Sequence, residues 1–219
     1  LPDSLLGSAW PVMYKQFDAP LSYAGIVTMI IAGGTIVSSL MSDRLTRKLG
    51  AGIVTAVSVM MTAVALLGFS ISGSFVLLCL WAVPYGLGAG AVDAALNNYV
   101  ALHYASRHMS WLHSFWGVGA AISPYIMSYC LLNGKGWNAG YGSVAAIQIV
   151  LAAMLFLSLP LWKRKSIVKD SNAAPAPVLS IWQALKIKGV KLMLTTFFCY
   201  SALESTTGLW ASSYFVNHH

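Results

Sequence analysis

Charge is scarce in this 219-residue chain, and negative charge most of all: 9% of the residues are charged and only six are acidic. Ordinary soluble domains carry about 25% charged residues, so an aqueous surface is excluded and lipid is the implied solvent. Cysteine is nearly absent as well. Cys79, Cys130 and Cys199 each fall inside an apolar run, which argues against a disulfide framework and leaves packing as their role. The apolar runs lack the strict alternation of a transmembrane strand. Helices remain, because backbone in lipid must satisfy its hydrogen bonds within the segment. No nucleophile–base pair or metal-ligand set is visible, since His103, His108 and His113 are merely spread along one connection and the start of the next run. An enzyme is therefore not expected, and no cofactor is implied beyond a coupling ion.

What is present is apolar length. Hydrophobic residues make up 58% of the chain, with a mean hydropathy of +0.70, and a hydrocarbon core of about 30 Å needs about 20 helical residues. Runs of this kind extend from Ser22 to Met41, Ala51 to Ile71, Phe75 to Leu102, Trp111 to Leu132, Tyr141 to Trp162 and Leu192 to Val216. Before them comes Leu1 to about Tyr14, too short to span alone and without the basic flank of a signal peptide. It reads as part of a first span, which makes the others the second to the seventh. The closing His218 and His219 are either native or the stub of a tag. Residues 1–162 are then a six-span half, 163–191 a linker, and 192–219 the seventh span opening a second half that lies largely beyond this sequence.

Lys and Arg are confined to the connections and span ends. Of the thirteen, Lys15 and Lys135 fall on one side and the other eleven on the opposite side, after the second, fourth and sixth spans. That asymmetry places those three connections in the cytoplasm and the protein in a plasma or inner membrane. The net charge of +7 is thus an orientation signal with some affinity for anionic lipid, and nucleic acid is not needed to explain it. The linker opens "KRK", passes through "SNAAPAP" and ends "LSIWQALKIKGVK", where Ile181 and Leu185 with Lys186 and Lys188 suggest a short amphipathic helix on the membrane surface. Just beyond it "ESTTGLW" (Glu204 to Trp210) echoes "DSLLGSAW" (Asp3 to Trp10). Six spans, a basic linker and a seventh span echoing the first describe a half-repeat boundary.

Three acids, Asp3, Asp93 and Glu204, sit inside the first, fourth and seventh spans with no basic residue in any span to neutralise them. An ionised carboxylate in lipid costs at least about 2.5–3.5 kcal/mol on insertion scales, so such groups face a cavity and mark an ion or proton path. Burial favours the neutral acid, the condition for carrying a proton. The third and sixth spans hold no charge and read as lipid-facing or supporting.

The fourth span, "PYGLGAGAVDAALNNYV", is the most loaded. Gly86 and Gly90 form a GxxxG face for close helix contact, and no strand precedes the glycines as a dinucleotide loop would require. Asp93 and Asn97 lie one turn apart on one face, so an amide can share a bound hydroxyl with the acid. The alternative is that Asn97 or Asn98 bonds a neighbouring helix. In the fifth span His113 and Trp116 share a face, pairing a hydrogen-bonding group with a flat aromatic surface as sugar sites do, unless they are interfacial and packing residues. Trp10, Trp210 and Tyr200 carry the same two readings.

"SDRLTRKLG" (Ser42 to Gly50) resembles the loop signature between the second and third spans of the major facilitator superfamily: Asp43, Arg44, Arg47 and Lys48 match it, while Ser39 and Thr46 stand where the signature has glycines. With "GAGAVDAALNNYV" and "LHSFWGVGA", the chain is similar to the fucose permease branch over nearly all its length. The resemblance implies an all-α twelve-helix transporter in which acids of the first and fourth spans bear on proton coupling and sugar binding, roles that carry to Asp3 and Asp93. It also implies a conformational latch at Asp43, Arg44, Arg47 and Lys48. Family amides on the fifth span are replaced here by His113 and Trp116. The expectation is a proton-coupled carrier of a small sugar or polyol, with Asp3, Asp93 and Glu204 for the proton, and Asn97, Asn98, His113, Trp116, Trp10 and Trp210 for the substrate. A drug or metabolite antiporter of the same fold is the near alternative, and a receptor or scaffold that binds without transport the distant one.

Overall fold

The computed structural model describes residues 4–166 and 181–218. Their regular elements are all helices: α1 (Leu5–Gln16), α2 (Tyr23–Leu49), α3 (Ala51–Ser70), α4 (Phe75–His103), α5 (Ser106–Leu132), α6 (Gly136–Ser166), the single turn α7 (Ile181–Ala184) and α8 (Val190–His218). Five of these, α2 to α6, are long and apolar enough to cross a membrane. The all-α membrane bundle expected from composition is what forms.

Helix ends fall where the side chains force them. α2 continues through the basic signature and stops only at Gly50, whose φ of 85° lies in the left-handed region and whose N–H bonds the Thr46 carbonyl. The segment Ser42 to Leu49, read from sequence as a loop, is therefore the end of α2, and Gly50 alone joins it to α3. No residue before Gly50 breaks the helix, and Arg47 and Lys48 in the last turn complement its negative end. The amphipathic helix expected in the linker is reduced to α7 within the described residues, with Trp182 largely exposed. "SNAAPAP" and Asp3 lie outside the described residues.

Glycine spacing sets the packing around α4, which lies between α2 and α3. A Cβ at Gly86 or Gly90 would strike the Ile31 or Thr35 carbonyl of α2, while one at Gly88 would come within 2.7 Å of the Ser58 carbonyl of α3. Three glycines at alternate positions thus seat one helix against two neighbours. α2 answers with small hydroxyls: Thr35 Oγ1 donates to the Gly86 carbonyl at 3.3 Å, Ser39 Oγ to Gly90 at 3.1 Å and Ser42 Oγ to Ala91 at 3.4 Å. Each bond contributes only about 0.6 kcal/mol, so their main effect is to fix register. Ser39, which replaces a signature glycine, is used here.

α3 is enclosed between α4 and α6, with 67% of its most apolar window buried against 17% for α6. Of the two readings open for the uncharged spans, α3 is therefore a supporting core helix, whereas α6 presents an outer apolar stripe of Met154, Leu157 and Leu161. α3 and α6 are pinned by Thr62 Oγ1 to Gln148 Oε1 at 3.1 Å and by a reciprocal pair between Ser70 and Asn138, at 2.8 and 2.6 Å. α1 packs on α8 and α5, with Leu5, Ala9, Trp10 and Met13 in the core. Its crossing with α8 is close because Gly7 has no side chain: a Cβ there would strike the Gly208 carbonyl. A Cβ on Gly208 itself would meet nothing within 4 Å. Cys130 is buried, Cys79 half-buried and Cys199 exposed, and all three are free thiols.

Candidate functional site

α4 carries the central pair. The 3.6-residue turn puts Asn97 over Asp93, and Asn97 Nδ2 donates to Asp93 Oδ1 at 3.0 Å. The Asp93 residue is exposed, while Asn97 Oδ1 is buried and without a hydrogen-bond partner. A buried orphan acceptor costs about 1–3 kcal/mol, so an arriving O–H or N–H donor would be favoured there. Asn98 turns elsewhere, into the wall of a cavity at the basic end of the bundle together with Tyr99 and His103. The two asparagines therefore do not act on one ligand from one face.

The remaining sequence-predicted residues are distributed unevenly. His113 is exposed on α5, and Trp116 is 47% exposed on the same helix. Glu204 is half-buried on α8, where the Tyr200 hydroxyl donates to its carboxylate from one turn earlier. Trp210 is half-buried against the core. Trp10 is placed differently from the expectation of a ligand-facing ring: it is fully buried, its Nε1 donates to the Leu21 carbonyl at 2.7 Å, and its ring meets Phe75 edge-on. It ties the α1–α2 connection to the core.

At the basic end, Arg47 grips Asp43 from one turn away, its Nε at 3.2 Å from Oδ1 and its Nη2 on Oδ2, a two-pronged pair within α2. Both side chains are more than half exposed, so the pair is screened and contributes little to stability. Arg44 and Lys48 flank it, exposed. Replacing Asp43 by Asn should leave the melting temperature nearly unchanged, because an exposed pair within one helix holds little of the fold, and melting curves of the two proteins check this.

Two cavities at this end were not foreseen. One, of about 430 Å³, lies among the ends of α2, α4 and α6 and the start of α3, and a second, of about 610 Å³, lies among α4, α5 and α6. Tyr99 and Trp162, 4.8 Å apart, belong to both walls. The i,i+4 spacing of Tyr99 and His103, whose rings stack at 4.4 Å, was the available sequence signal. Neither wall includes Asp93, His113 or Trp116. Among the described residues no three metal-binding side chains gather.

Comparison with known proteins agrees with this architecture. The family model described as Major Facilitator Superfamily matches residues 1–219. The chain is 23% identical over 214 residues to YfkL, an MFS-type transporter of Bacillus subtilis, covering 96% of this chain and 53% of that protein. It is 24% identical over 115 residues to the transporter y4wD of Sinorhizobium fredii, covering 51% of this chain and 30% of that protein. The chain thus spans about half the length of the first relative.

Proposed function

Because the chain belongs to the major facilitator superfamily, we propose that it works within a proton-coupled importer of a small sugar or related polyol, of the fucose permease kind, cycling by alternating access. The carrying observation is the Asp93–Asn97 pair: an acid in an uncharged span, bonded to an amide whose own oxygen is buried and unsatisfied. Protonated, Asp93 can donate to a substrate hydroxyl. Ionised, it can accept from one, while Asn97 Oδ1 takes a second donor. A neutral ligand rich in hydroxyls uses both states, and the aromatic face of Trp116 suits its C–H surface. Asp3 and Glu204 would serve the same proton from the two halves, and the second half of the transporter would complete the cavity. Asp43, Arg44, Arg47 and Lys48 would latch one of the end states.

The test is uptake by the full-length protein in proteoliposomes. Entry of labelled sugars or polyols should follow an imposed proton gradient and cease when it is collapsed. Inhibition by lipophilic cations with no response to any sugar would move the assignment to an antiporter, and binding without flux to a receptor.

A further inference from the structure

Pro124 lies inside α5 and supplies no N–H, so the Ala120 carbonyl one turn earlier loses its partner within the helix. That carbonyl is satisfied from another helix. Ser4 Oγ, at the start of α1, donates to it at 2.7 Å and also lies 3.0 Å from the Ser123 hydroxyl. A serine hydroxyl has one proton to give, and Ser4 spends it on the shorter contact, so Ser123 is the donor to Ser4. Ser123 is fully buried, with the Gly119 carbonyl as a second acceptor at 3.3 Å. A serine at the head of a helix usually caps that helix, yet the Ser4 side chain makes no capping bond to the first amides of α1. Its hydroxyl is committed to α5 instead.

A proline also lets a helix bend, because its ring crowds the carbonyl of the preceding turn. Ser4 therefore grips α5 at the point where the two halves of that helix can change their angle. The half before Pro124 carries His113 and Trp116, eleven and eight positions upstream, which is about 17 and 12 Å of helix rise. At that distance a small change of angle moves both side chains relative to the Asp93–Asn97 pair on α4. We propose that Ser4 is a positioning residue for substrate binding: its hydroxyl, held between Ala120 and Ser123, sets the direction of the first half of α5 and with it the placement of His113 and Trp116. The substrate-facing role of those two side chains rests on the transport reading, whereas the hydroxyl clasp stands on its own geometry.

Uptake kinetics with labelled fucose, and melting curves, of the full-length protein in four forms decide it. Ser4→Ala should raise KM about five-fold, the equivalent of one neutral hydrogen bond, and leave the maximal rate nearly unchanged. Ser4→Thr, which keeps the hydroxyl, should behave as the parent. In a Pro124→Ala background position 124 regains its N–H and satisfies Ala120 within α5, so adding Ser4→Ala there should raise KM no further. An unchanged KM in Ser4→Ala, equal losses in Ser4→Ala and Ser4→Thr, or the same effect of Ser4→Ala in both backgrounds would overturn the assignment. A parent that takes up neither fucose nor any other sugar or polyol would remove the transport reading and the binding role with it. The clasp is then read from melting alone: Ser4→Ala should lower the melting temperature beside Pro124 but not in the Pro124→Ala background, and equal shifts in the two would refute it.

Discussion

If Asp93 carries the proton as proposed, uptake driven by a proton gradient should fall to the rate of empty vesicles in the Asp93→Asn variant of the full-length protein, while exchange of labelled for unlabelled substrate at equal pH should persist. Asparagine has the shape of aspartate and can still meet the Asn97 amide across the 3.0 Å separation, so the binding surface survives. What it cannot do is gain and lose a proton. Net coupled flux needs the empty carrier to return in a different protonation state from the loaded one, whereas exchange needs only the loaded carrier to cross in both directions. Gradient-driven uptake by the variant equal to the parent would remove Asp93 from the coupling path and leave its bond to Asn97 as a structural feature.

Leucine at Gly90 should prevent recovery of monodisperse protein. The added side chain would enter the space held by the Thr35 carbonyl of α2, which cannot retreat without moving the backbone. Overpacking alone costs about 1–3 kcal/mol. The hydroxyl bonds from Thr35, Ser39 and Ser42 to α4, at about 0.6 kcal/mol each, would go with it as the helices part. Gly25→Leu is the matched control on α2, since a Cβ there meets nothing within 4 Å. Size-exclusion profiles and melting curves of the two variants separate a steric effect from a general intolerance of leucine, and similar profiles for both would refute the account of the α2–α4 contact.

The glycine face and the Asp93–Asn97 pair were legible because each depends only on spacing along one helix. Residues four apart must share a face wherever the helix ends up. Two readings went astray for definable reasons. The end of α2 looked like a loop because charge was taken as the edge of a span, yet a helix can leave the membrane without ending, and Gly50 rather than Asp43 supplies the stop. Trp10 looked available to a ligand because an indole in an apolar run has the same chemistry in a wall or in a core. Only the placement of Leu21 and Phe75 around it distinguishes them. The uncharged third and sixth spans posed the same ambiguity, lipid and protein interior being equally apolar. The cavity at the basic end takes its wall from α2, α3, α4 and α6, and no local pattern announces a surface assembled from four helices.

The unequal glycines of the α1–α8 crossing have a practical outcome. Position 7 cannot take a side chain without forcing the strands of backbone apart, but position 208 projects into open space while its carbonyl stays pressed on α1. A cysteine placed at 208 can therefore bear a paramagnetic reporter without disturbing the seam it watches. Its distance to a second reporter on α1 would trace, in real time, how far the two ends of the sequence echo separate.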